Sequence, residues 1–94
     1  KKNMEENLVR ALEMKYAEIR SLETALESDE ELVSILESVR KTAMSQYNNG
    51  TITASEYLME WSKEKEAIIN RAIHAVSLAR AKVEYLNIAG KEIE

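Results

Sequence analysis

The residue types here that could do chemistry are few: one histidine, a ladder of glutamates, and two aromatic side chains beside a glycine turn. A carboxylate-bridged metal site on helices wants Glu-x-x-His. At His74 the position three before is Arg71, and no His-Glu-x-x-His occurs, so a plain helix-face histidine is expected. Glu56, Glu60 and Glu64 recur at every fourth residue, on one helical face. Like charges so placed repel by a few tenths of a kcal/mol per pair, which suits a solvated face. The sharper alternative is a carboxylate lining a channel shared by several chains, where symmetry would multiply each charge. Glu56, nearest the turn, is then the best candidate, although capping competes for it. Tyr57 and Trp61 suit packing in a helix seam, with partner docking as the other use. The sequence shows no Ser/His/Asp set, no glycine-rich phosphate loop and no metal cluster. With no cysteine, thiolate chemistry and disulfides are excluded. Neither an enzyme nor a bound cofactor is expected.

The elements that position these residues follow from composition. The 94 residues make one domain at most, with no proline and only two glycines, so chain reversal has almost nowhere to occur except at Gly50 and Gly90. Charged residues are 32% of the chain with the signs interspersed, as on solvated helix faces. The net charge of -4 and the scatter of Lys and Arg argue against nucleic acid. The longest apolar stretch, from Ala67 to Ala79, is broken by Asn70, Arg71 and His74, too early for a membrane span. A soluble piece of a longer protein is the expectation, since Lys1 is not a natural initiator and no signal peptide is visible.

The turn is the best-specified stretch. Asn49 or Gly50 suits the left-handed residue that ends a helix. Thr53 and Glu56 have capping-box spacing, and Ile52 and Tyr57 that of a hydrophobic staple. Before the turn, Leu8, Leu12, Tyr16, Ile19, Leu22, Leu26, Val33, Leu36, Val39 and Ala43 recur in steps that are mostly three or four. Glu6–Arg10 and Glu37–Lys41 are surface pairs, and Arg40 and Lys41 suit the helix dipole. Ser28 with Glu31 also reads as a capping box, so a fresh start is open there, but no Gly, Pro or Asn precedes it and continuity or a kink is expected. After the turn the seam reads Leu58, Trp61, Ile68, Ala72, Ala75 or Val76, Ala79, Val83 and Leu86. Ile69, Ile73 and Val76 add a second apolar edge, and Gly90 is expected to end the helix. The fold expected is all-α: a long antiparallel two-helix coiled-coil hairpin, with helices over about 4–46 and 54–89 and a tip at 47–53. At roughly 1.5 Å per residue the two rods span about 65 and 54 Å. Two such rods bury too little by themselves, so further helices are expected around them.

One motif resembles a known family. Tyr47-x-x-Gly50-Thr51, then Glu56-Tyr57-Leu58, then Ala67 and Arg71, then Ala79-x-x-x-Val83-x-Tyr85-Leu86 and Gly90 together resemble the TolC family of outer-membrane efflux proteins. The match covers about residues 40 to 91. Ser45-Gln46-Tyr47 and His74-Ala75-Val76-Ser77-Leu78 are most similar to versions from the Bacteroides group of bacteria. The resemblance implies a fragment of a trimeric α-helical barrel that hangs into the periplasm below an outer-membrane β-barrel. It also implies docking on a periplasmic adaptor that links to an inner-membrane pump. The tip, Tyr47, Asn48, Asn49, Gly50, Thr51, Ile52 and Thr53, would then serve adaptor docking and gating, and Glu56 would be the channel-lining acid. Ile52 stands where the best-known member has an arginine that locks neighbouring hairpins, and Met59 where a second constriction acid stands. Other classes with this outline are a secreted helical hairpin of the WxG type and a coiled-coil scaffold. The first of these resembles the chain less, because Trp61-Ser62-Lys63 is not W-x-G and falls inside the second expected helix.

Overall fold

The computed structural model describes residues 2–93, and these form two helices: α1 over Lys2–Asn48 and α2 over Ala54–Ile93. No strand occurs among the described residues. With no proline, only caps can end the helices, and the turn supplies both kinds. At the end of α1 the Asn49 amide donates to the Ser45 carbonyl at 3.0 Å, that of Gly50 to Tyr47 at 3.0 Å, and that of Thr51 to Gln46 at 2.8 Å. The last two bonds make a Schellman motif with Gly50 as its left-handed residue, at φ +76°. Three residues later α2 begins in a complete capping box. The Glu56 amide donates to Thr53 Oγ1 at 3.1 Å, and the Thr53 amide donates back to Glu56 Oε1 at 3.3 Å.

Two boundaries differ from the sequence reading. Tyr47 and Asn48 are the last helical residues of α1 rather than part of the turn, because the Schellman bonds reach back over them. Residues Ser28 to Glu31 lie within continuous helix, as expected where no Gly, Pro or Asn precedes the capping-box spacing. Gly90 does not end α2, which runs through it to Ile93. A glycine only permits a left-handed turn, and without proline or a competing cap the ladder continues.

The chain divides into two compact units, one made of the chain up to Ala25 and from His74 onward, the other of Leu26–Ile73. In the first, Ala81 is the most buried residue at 1% exposure, and Leu8, Leu12, Ile19, Leu22, Leu78, Tyr85 and Ile88 are half-buried. Lys15 ties its two helical segments by an ion pair to Glu84 at 3.1 Å while also reaching Glu18 at 2.8 Å. These two hydrogen bonds, to Glu18 first and Glu84 second, hold the Lys15 ammonium above its ordinary pKa.

In Leu26–Ile73 the two helical segments run antiparallel around the turn. Val33, Ala43 and Ala67 are buried, as are the charged side chains of Asp29 and Glu64. Most of α1's apolar stripe faces inward as read, but Tyr16 and Val39 are exposed. The α2 stripe differs more. Leu58, Trp61, Val76, Val83 and Leu86 were expected in the seam and are all exposed. Ala72, Ala75 and Ala79 are exposed as well, leaving Ile68 as the member that turns inward. In the hairpin, Glu64 and Ala67 are buried, and Tyr57, Glu60, Lys65 and Arg71 are half-buried beside Ile68.

Candidate functional site at the tip and its polar seam

The hairpin of Leu26–Ile73 carries its polar groups at heptad spacing. Arg40 lies on the α1 stripe Val33, Leu36, Arg40, Ala43, in steps of three and four. Glu64 lies seven residues after Tyr57 on α2. The two charges meet between the helices: Arg40 Nε donates to Glu64 Oε1 at 2.8 Å. Glu64 is only 3% exposed. Its carboxylate also accepts from Lys65 Nζ at 3.0 Å. Every buried side-chain polar atom among the described residues has a hydrogen-bond partner, as a folded chain requires.

The electrostatics follow from these contacts. The Lys65 hydrogen bond, and then that of Arg40, holds the Glu64 carboxyl below its ordinary pKa, while burial works in the opposite direction. The same bond to Glu64 raises Arg40, with a smaller contribution from Tyr57. Lys65 in turn lies over the Trp61 ring, 5.4 Å from its centroid.

At the tip, Tyr47 and Tyr57 stack with ring centroids 5.9 Å apart and an interplanar angle of 18°. The ring of Tyr57 therefore packs against Tyr47, while Ile52, its expected staple partner, lines a groove of about 370 Å³ with Val39, Ala43, Glu56 and Glu60. Tyr47, Asn48, Asn49, Gly50, Thr51 and Thr53 are exposed, and Ile52 is half-buried. The structure thus gathers the whole expected tip at one end of this hairpin.

The glutamate ladder, read as one face, splits by role. Glu56 caps α2 and is exposed; Glu60 is half-buried and pairs with Lys63 at 3.4 Å; Glu64 is buried on Arg40. Glu37–Lys41 forms at 3.0 Å as read. His74 is half-buried. Among the described residues no group of three or more His, Asp or Glu is placed to hold a metal ion. No helix among them is long and apolar enough to cross a membrane.

Sequence reasoning missed the Arg40–Glu64 pair. It assigned Arg40 to the helix dipole and Glu64 to solvent. A signal was present: Arg40 and Glu64 are equidistant from Ile52 along the chain, and so are Tyr47 and Tyr57. In a tight antiparallel hairpin such residues face each other.

Comparison with known proteins adds no relative: no family model, curated protein or solved structure matches this chain.

Proposed function

We propose that the chain is the periplasmic coiled-coil part of an outer-membrane efflux or export duct of the TolC type, supplying tunnel wall and an adaptor-docking, gating tip. The observation that carries this reading is where the apolar side chains stand. In the hairpin, Leu58, Trp61, Ile69 and Ile73 are between 43% and 59% exposed, while the seam holds Arg40 and Glu64. Fully covering one side chain of this kind contributes about 1.5–3 kcal/mol. A helical hairpin built this way is stabilised by more helices packed on its outside, as a stave is by its neighbours.

In this reading the full-length protein is a trimer. Its tip meets a periplasmic adaptor joined to an inner-membrane pump, and its membrane attachment comes from parts outside these 94 residues. The hairpin carries out no bond chemistry. Opening is a shift of hairpins past one another, biased by the adaptor's stronger binding to the open arrangement. Glu56 stands near the tip, where a channel-lining acid would act, and its capping bonds fix its position.

The test is made in the full-length protein. Gly50→Val should impair export and adaptor docking with helix content nearly unchanged; normal export would remove the tip from the mechanism. For the chain alone, sedimentation over a wide concentration range should show self-association that Ile69→Glu weakens. A monomer throughout would overturn the need for neighbouring helices.

A further inference from the structure

We infer that the Tyr47–Tyr57 stack and the Arg40–Glu64 ion pair act as one two-point register clamp, coupled so that disturbing Tyr47 at the tip loosens the ion pair one heptad away. Arg40 precedes Tyr47 by seven residues and Tyr57 precedes Glu64 by seven, so the two links sit at the same spacing on both helices. Both close across the same antiparallel pairing, at 2.8 Å for the charges and 5.9 Å between ring centroids. Tyr57 belongs to both, since it stacks on Tyr47 and also acts on Arg40.

The capped turn sets the register of this hairpin, and the apolar seam near the tip adds little to it. The seam's most buried apolar members near the tip are Ala43 and Ala67, and alanine packs equally well against many neighbours. Buried polar partners add to the register, because a slipped arrangement separates Arg40 from Glu64 and leaves the carboxylate only Lys65, and setting register is the best-attested use of such pairs. A slip of one heptad would place Val33 or Tyr47 opposite Glu64 in place of Arg40. The carboxylate would then lose its guanidinium while still out of water, which is costly. The clamp belongs to Leu26–Ile73 and holds whether or not the chain is part of a duct.

The experiment uses the 94-residue chain. Trp61, the only tryptophan, reports locally because it lies against Lys65, which is bonded to Glu64. Tyr47→Leu removes the stack and keeps apolar bulk. It should speed amide hydrogen exchange over residues 60–67 several-fold and make Trp61 more accessible to acrylamide. In a Glu64→Gln background the same change should have less than half that effect. Tyr57→Phe, which keeps the stack and removes the hydroxyl that acts on Arg40, should speed exchange over residues 60–67 less than Tyr47→Leu does. Exchange changes confined to residues 45–57, or a Tyr47→Leu effect of equal size in both backgrounds, would overturn the coupling.

Discussion

Arg40 and Glu64 lie equally far from Ile52 along the chain, and their side chains meet at 2.8 Å between the two helices. Breaking such a bridge by removing Arg40 leaves Glu64 buried with only Lys65 as its partner. The carboxyl of Glu64 titrates below its ordinary value of 4.5, chiefly through Lys65 and then Arg40. A depressed carboxylate pKa contributes stability that is complete above the unfolded value and disappears as pH falls through the folded one. The urea midpoint of the chain should therefore drop on acidification from about 4.5 downward. Glu64→Gln should lower the midpoint at neutral pH and flatten that part of the profile. An unchanged slope in the variant would remove Glu64 from the acid response.

Gly50 holds φ at +76°, and a Cβ added there would meet nothing within 4 Å. Strain alone thus sets the penalty of substitution. Gly50→Ala should cost about 1–2 kcal/mol, the usual left-handed penalty for an L-residue, and Gly50→Asn less. Equilibrium denaturation decides this, and equal stability of all three chains would contradict the Schellman end.

The reverse holds at Gly90. It is helical, and a Cβ there also meets nothing within 4 Å. Gly90→Ala should raise stability by about 0.5–1 kcal/mol, since glycine costs that much inside a helix. A loss on substitution would show that α2 ends at Gly90 after all.

Thr53 donates nothing to the ladder but accepts from the Glu56 amide at 3.1 Å. Thr53→Ala should cost about 1 kcal/mol and Thr53→Ser far less, as for other N-caps. The readout is again the denaturant midpoint, with fraying at residues 54–57 visible by hydrogen exchange. Full stability in Thr53→Ala would mean that Glu56 holds the helix start unaided.

The turn was the most legible part of the sequence, because its signals are local. Asn49-Gly50 ended one helix and Thr53 with Glu56 began the next, as their backbone chemistry requires. The inward face of α1 was readable from Leu8 to Ala43, since its apolar stripe is continuous. That of α2 was not. Hydrophobic periodicity picked Leu58, Trp61 and Leu86, yet all three are exposed, and in the hairpin the buried position is Glu64, paired with Arg40 close in space and far apart in sequence. The mid-helix end assigned to Gly90 failed for a related reason, since a permissive residue ends a helix only when other bonds reward the ending.

The reversal closes through main-chain atoms and the Thr53–Glu56 box, while Asn48, Asn49 and Thr51 point letters outward that the scaffold does not spell with. Those three side chains are therefore interchangeable vocabulary. An apex borrowed from another hairpin can be grafted between Tyr47 and Ile52, provided Gly50 stays, and the shaft beneath it will not notice the exchange.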